Sequence, residues 1–142
     1  NNTTLLNKDR TMSDERYQRG KDKLREILPD GPEILEDGPG QVAPDLVRHA
    51  YEFAYSDVYC RPGLDPNIRQ VATIAALTAL GNAPSQLGNH IKAGLNTGLS
   101  RDEVIEVIMQ MAVYAGFPAA LNAAQIAKEV FQELDEIAKA KP

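Results

Sequence analysis

Two polar side chains stand at opposite ends of segment 57–90 of this 142-residue chain. His90 lies at the edge of an apolar helical stripe, and Asp57 continues a row at helical spacing made by Leu46, Ala50 and Phe53. A carboxylate on an apolar row is costly to bury unless it is paired or hydrogen-bonded. We therefore expect Asp57 to have a partner, either an arginine or loop that it holds in place or a group in a site. We predict that the polar ends of this segment converge on a small-molecule site.

The helix between these ends is predicted to be the central element of the fold. Asp65 is suited to the N-cap and Pro66 to the first helical position, while Gly81 marks the end. Residues 71–80 are Val, Ala, Thr, Ile and Leu alone. Because a helix that is apolar on every side is normally buried, we predict an alanine-rich helix at the centre of a bundle.

Helix start and stop signals predict five further helices, and no alternating strand pattern occurs. The fold class is therefore all-α, a six-helix bundle, with an N-terminal tail over residues 1–14 and a single domain over residues 15–142. The other predicted helices are Glu15 to Leu28, Pro44 to about Tyr59, Pro84 to about Thr97, one that follows a Ser100–Glu103 capping box and ends at Gly116, and Pro118 to about Lys139. The last has a predicted buried stripe of Phe117, Ala120, Ala124, Ala127, Phe131, Leu134 and Ala138.

Residues 29–43 contain three prolines and three glycines, which predicts a loop with at most one helical turn around Glu33 to Leu35. A loop of this length inside a compact domain is unusual and is often functional. The segment is either a lid over a pocket or a simple connector.

Composition excludes several classes of function. The net charge is −5 and the basic residues are scattered among acids, which argues against a nucleic-acid surface. No apolar run approaches the roughly 20 residues that cross a bilayer. The single cysteine, Cys60, excludes an internal disulfide, and one Cys with two His shows no metal-ligand spacing. A free thiol favours a reducing compartment, so we expect a cytoplasmic protein.

Three segments together resemble the carboxymuconolactone decarboxylase family of the AhpD-like superfamily. They are DVYCRPGLDPNIRQVATIAALTALG, HIKAGLNTGLSRDEVIEVI and AVYAGFPAALNAAQIAKEVF, and the opening RYQRGKDKLREIL resembles the gamma-carboxymuconolactone decarboxylases. The resemblance covers about residues 16–134 and keeps the order and spacing of the family. It implies cofactor-free decarboxylation of 4-carboxymuconolactone to beta-ketoadipate enol-lactone, in the protocatechuate branch of aromatic degradation. It also implies a homotrimer or homohexamer with sites near subunit boundaries.

The resemblance assigns roles to individual residues. His90 is the candidate proton or oxyanion donor, Arg61 the group that grips a substrate carboxylate, and Asp57 the group that orients one of them. The candidate lining residues are Tyr59, Gln70, Gln110 and Tyr114. Each has a structural alternative: a hydrogen-bonded histidine between helices for His90, a cap or ion pair for Arg61, a bridge across a subunit contact for Gln110, and a place in the core for the tyrosines.

Departures from the family pattern leave other functions open. Tyr59 stands where relatives often have tryptophan, Asp57 where they often have glutamate, and Gln110 where some have histidine. The chain could instead decarboxylate another lactone or keto acid, or be a ligand-binding oligomer. A peroxidase-type function would need the Cys-x-x-Cys pair of the AhpD branch. Residues 83–86 before His90 contain no cysteine, so a catalytic disulfide within one chain is excluded, although Cys60 alone could react with peroxide.

Overall fold

A computed structural model describes residues 2–142, and every regular element in that range is helical. The all-α class is confirmed, with seven α-helices in the described residues rather than six. They are α1 (Asn2–Ile27), α2 (Gly31–Asp37), α3 (Pro44–His49), α4 (Pro66–Leu80), α5 (Pro84–Asn96), α6 (Arg101–Ala115) and α7 (Phe117–Ala140), with a 3-10 helix at Pro39–Gln41 and a π-helix at Ala50–Val58. None of these described helices is both long enough and apolar enough to cross a membrane.

The chain divides into two compact units, one ending at Leu64 and the other beginning at Asp65. The single domain over residues 15–142 stays a prediction. In the first unit, α1 begins at Asn2 rather than Glu15. The reason is that residues 2–19 contain neither proline nor glycine, so nothing stops the helix from extending past Ser13 and Asp14.

The predicted buried face of residues 44–59 is wrong, and the π-helix explains the part of the error that lies beyond His49. Leu46 and Phe53 are 63% and 67% exposed, whereas Val47, Tyr51, Glu52 and Ser56 are buried. The buried positions repeat every four to five residues because the turn is widened, as in the 2.9 Å bond from the Tyr59 N–H to the Ala54 carbonyl, five residues back. The predicted face follows from the α-helical period of about 3.6 residues, which does not hold through Ala50–Val58.

Residues 29–43 are more ordered than the predicted loop, since most of them belong to α2 and the 3-10 helix. The buried Tyr51 hydroxyl donates to Glu36 on α2 at 2.9 Å, and Lys21 on α1 forms an ion pair with the same carboxylate at 2.6 Å. These bonds fix α2 to α1 and the π-helix, which is the packing typical of a structural connector.

The second unit is a bundle of α4 to α7 around one apolar core. Its buried residues are Ile74, Leu87, Ile91, Leu99, Val104, Ile108, Ala120, Ala123, Ala127 and Val130. On α7 the predicted stripe is wrong in part: Phe117, Ala124 and Ala138 are exposed, and Ala123 and Val130 are buried although the stripe did not include them.

Helix α4 is buried on one face and not all round, which corrects the prediction of a fully buried central helix. Gln70, Ile74 and Thr78 form the enclosed row, while Ala76 and Leu80 are exposed. The neighbouring helices of this unit therefore cover only one face of α4, although the pattern of residues 71–80 is apolar on every side.

Local signals in the second unit predicted the helix ends well. Gly81, Gly98 and Gly116 all have positive φ, at 69°, 114° and 93°. The capping box is confirmed: the Glu103 N–H donates to Ser100 Oγ at 3.0 Å, and the Ser100 N–H donates to the Glu103 carboxylate at 2.7 Å. These turns set where α4, α5 and α6 begin and end. They therefore help to decide which side chains of neighbouring helices lie opposite one another.

Candidate active site

A partly buried hydrogen bond joins α4 to α5 at the predicted site. His90 Nδ1 lies 3.0 Å from Gln70 Oε1, with 20 residues between the two positions along the chain. Gly94, one turn beyond His90, allows this approach: a Cβ there would lie 3.2 Å from Ile74 Cδ1 and 3.6 Å from Gln70 Cβ. The small residue on α5 therefore brings the two helices close enough for the side chains of Gln70 and His90 to meet.

The surroundings of His90 keep its imidazole neutral. Burial lowers the pKa of His90 from 6.5 to about 4, because the charged form loses hydration there. A neutral imidazole has one N–H donor and one acceptor nitrogen. When Nδ1 donates to the Gln70 carbonyl oxygen, Nε2 carries the lone pair and is the atom able to take up a proton.

Gln70 differs from an ordinary pocket-lining residue. Its side chain is 0% exposed, and its Oε1 is occupied by His90. Its Nε2 is buried and has no hydrogen-bond partner among the residues that the structure describes. Gln70 and His90 are two of the seven predicted site residues, and the structure brings them into contact.

Asp57 has a partner, as expected, and the structure shows that this partner is Arg16 on α1. The guanidinium donates from Nε to one carboxylate oxygen at 3.1 Å and from Nη2 to the other at 2.6 Å. The hydrogen bond from Arg16 lowers the pKa of Asp57. Arg16 also lies 3.6 Å from Glu52, which pairs with Arg48 at 2.6 Å. Asp57 thus fits the structural alternative of a carboxylate that holds an arginine. No spacing in the sequence signals a pair that lies 41 residues apart.

Tyr59 and Arg61 follow the π-helix in the first unit. Tyr59 is half-buried and packs on Tyr55 with ring centroids 5.2 Å apart, and burial raises the pKa of Tyr55 to about 12. Arg61 is exposed, and its N–H donates to the Val58 carbonyl at 3.1 Å. Cys60 between them donates its thiol hydrogen to the Tyr55 carbonyl at 3.3 Å. The lining role of Tyr59 and the carboxylate-binding role of Arg61 stay predictions.

Gln110 and Tyr114 both lie on the exposed side of α6. Tyr114 is 79% exposed, so the alternative that it belongs to the core is wrong. Their lining roles stay predictions. The prediction that Asp57, Tyr59 and Arg61 share one site with the residues of the second unit also stays a prediction.

An apolar groove of about 400 Å³ runs between α6 and α7. It is lined by Ile105, Ile108, Met109, Ala112, Val113, Phe117, Ala120, Leu121 and Ala124. None of these side chains can transfer a proton, so the lining of the groove supplies no general acid or base. The sequence signal for this groove is the apolar pattern around Phe117 and Ala124, two residues of the predicted buried stripe of the last helix. In residues 2–142, no set of three or more His, Cys, Asp and Glu side chains is arranged to hold a metal ion.

Comparison with known proteins identifies relatives of the chain. Residues 44–129, more than half of its length, match the carboxymuconolactone decarboxylase family. The 4-carboxymuconolactone decarboxylase of Acinetobacter baylyi is 36% identical over 129 residues, which cover 87% of this chain and 92% of that protein. An uncharacterized 15.0 kDa protein of Paracoccus denitrificans is 33% identical over 97 residues, 68% of this chain and 72% of its own.

A further relative extends the chemistry represented among these proteins. The nitrosuccinic acid decarboxylase of Metarhizium robertsii is 29% identical over 83 residues, 58% of this chain and 57% of its own. Two of the three relatives are thus named as decarboxylases. With the family match over residues 44–129 and a relative aligned along most of both chains, this protein belongs to the carboxymuconolactone decarboxylase family.

Proposed function

We propose that the protein decarboxylates 4-carboxymuconolactone to beta-ketoadipate enol-lactone without a cofactor. The observation that carries this proposal is the 36% identity to the Acinetobacter 4-carboxymuconolactone decarboxylase, across 87% of this chain and 92% of that one. The neutral, half-buried histidine of the second unit supports it, since the reaction needs a group that handles one proton.

The substrate supplies its own electron sink. The departing carboxyl is attached to a carbon that is conjugated, through a double bond, with the lactone carbonyl. When the C–C bond breaks, its electron pair passes into the lactone as a dienolate, and carbon dioxide leaves. The protein then has three tasks: to stabilise the developing oxyanion, to deliver a proton to carbon and to hold the second carboxylate.

His90 is proposed to carry the proton. An anionic substrate beside this half-buried imidazole favours its charged form, so binding offsets the desolvation that keeps His90 neutral. The proton taken up at Nε2 is then transferred to the dienolate carbon: the N–H bond breaks, a C–H bond forms, and His90 returns to its neutral form. A hydrogen-bond donor aimed at the developing oxyanion lowers the activation free energy by roughly 3–4 kcal/mol.

Arg61 is proposed to bind the second carboxylate, because the forked guanidinium matches two carboxylate oxygens. Asp57 is proposed as a positioning group. Its carboxylate accepts a hydrogen bond from Arg16 and so fixes the place of that guanidinium. Tyr59, Gln110 and Tyr114 are proposed as lining residues. For Arg61, the conservative Arg61→Lys keeps the charge and removes the fork, so we expect it to raise KM more than it lowers kcat.

We further propose that the protein works as a homotrimer or homohexamer in the cytoplasm, in the protocatechuate branch of aromatic degradation. The support for self-association is the amount of exposed apolar surface. In the second unit, Leu80, Met109, Val113, Phe117 and Leu121 are each at least half exposed. Exposed apolar patches of this kind mark interaction sites.

The test is an ultraviolet absorbance assay with the lactone generated from protocatechuate in a coupled system. We expect the wild-type protein to consume the lactone, and His90→Ala to lower kcat roughly 10²–10⁴-fold, the usual contribution of a general acid or base. Full turnover by His90→Ala would refute the assignment of His90. No turnover by the wild type would refute the substrate, and a positive result in a peroxide assay would favour the redox alternative.

A further inference from the structure

We propose that Gln70 is a positioning residue that fixes the tautomer of His90, with the proton on Nδ1 and the lone pair on Nε2. This inference deepens the proposed function, since it names the atom of His90 that faces the substrate. It assigns Gln70 to His90 rather than to the pocket lining predicted from the sequence.

The geometry of the pair carries the inference. Gln70 Oε1 lies 3.0 Å from His90 Nδ1, and the glutamine side chain is fully enclosed. A carbonyl oxygen can only accept a hydrogen bond, so in this arrangement Nδ1 must be the protonated nitrogen. Which ring nitrogen of a histidine is protonated is commonly set by the hydrogen bond that the other nitrogen makes.

Packing alone does not account for a glutamine at this position. Gln70 occupies the enclosed row of α4 with Ile74 and Thr78, where an apolar side chain would fill the same space. The amide leaves its Nε2 buried without a partner among the described residues. A buried donor without a partner destabilises the fold. The benefit that offsets this cost is the acceptor that Gln70 presents to His90.

Helix geometry holds the acceptor in place. Gly94 lets α5 approach α4 beside Gln70, and the side chain of Leu99 lies 3.0 Å from where a Gly94 Cβ would be. Gln70 and Gly94 are both buried on facing helices. The amide therefore has little room to turn away from the imidazole.

Nitrogen-15 NMR of the imidazole at neutral pH tests the tautomer directly. The chain has two histidines, so His49→Asn leaves His90 as the single imidazole. In this background we expect Nδ1 to give the shift of a protonated nitrogen and Nε2 that of an unprotonated one. A spectrum with the opposite assignment would overturn the proposal. This readout needs no substrate, so it can succeed or fail independently of the proposed decarboxylation.

Two substitutions separate positioning from packing. Gln70→Leu keeps the bulk and removes the acceptor, while Gln70→Glu keeps an acceptor. We expect Gln70→Leu to mix the two tautomers and to lower kcat roughly 10- to 100-fold with little change in KM, as when an orienting partner of a histidine is removed. We expect Gln70→Glu to keep the proton on Nδ1. Circular dichroism confirms that each variant is folded; a folded Gln70→Leu with the wild-type tautomer would refute the role of Gln70.

Discussion

Arg16 on α1 binds both carboxylate oxygens of Asp57, which lies 41 residues further along the chain. The side chains of both residues are exposed, so the ion pair stabilises the first unit only modestly. Its clearest effect is on the pKa of Asp57, which the hydrogen bond from Arg16 lowers. Since the paired carboxylate is favoured in the folded state, the folded protein binds fewer protons than the unfolded chain in mild acid.

The first prediction follows from this pair. The stabilisation by Asp57 is fully present above the unfolded pKa of about 3.9 and is lost as the pH falls through the lower folded value. We expect Asp57→Asn to lower the melting temperature slightly at pH 7 and to have no effect on it in strong acid. Thermal melts across pH check this, with Arg16→Met and the double variant as controls. If Asp57→Asn lowered the melting temperature as much in the Arg16→Met protein as in the wild type, the pairing would be contradicted.

The second prediction concerns the titration of His90. Burial lowers its pKa to about 4, below the unfolded value of about 6.5, so the unfolded chain binds more protons between these pH values. Stability should therefore be lost as the pH falls from 6.5 towards 4. We expect His90→Asn to flatten this part of the stability profile, and His49→Asn to leave the His90 part unchanged. An NMR midpoint for His90 near 6.5 in the free protein would contradict the effect of burial.

The third prediction concerns the apolar groove between α6 and α7. Val113 and Phe117 line it and are 77% and 71% exposed. If a second copy of the chain covers this surface, then Val113→Asp places a charge in an apolar contact and should shift the protein to a smaller assembly. Analytical ultracentrifugation measures the change. Gln132→Asp, at an exposed polar position of α7, is the matched control and should leave the assembly intact.

The fourth prediction concerns the contact between α1 and the π-helix. A Cβ added at Gly20 would overlap the backbone carbonyl of Tyr51, so the two helices would have to move apart. We expect Gly20→Ala to lower the free energy of unfolding by about 1–3 kcal/mol, as overpacking in a core does. Denaturant titration measures this loss. Gly63→Ala, where the added Cβ meets nothing within 4 Å, should change stability far less.

The sequence alone determined the features that depend on neighbouring residues. Pro66 and Pro84 start helices, Gly81, Gly98 and Gly116 end them, and the Ser100 box caps α6. Such signals act within one turn of the chain, so their outcome needs no knowledge of the fold. The all-α class follows from the same local patterns.

The tertiary structure decided which faces are buried and which side chains meet. The buried face of residues 44–59 begins at Val47 rather than Leu46. The widened turn of Ala50–Val58 then buries Tyr51 and Ser56 instead of Phe53, because a change of period rotates every later side chain. The bond between Gln70 and His90 spans 20 residues, and that between Arg16 and Asp57 spans 41. Pairs so far apart are set by how helices pack, and no local pattern encodes that distance.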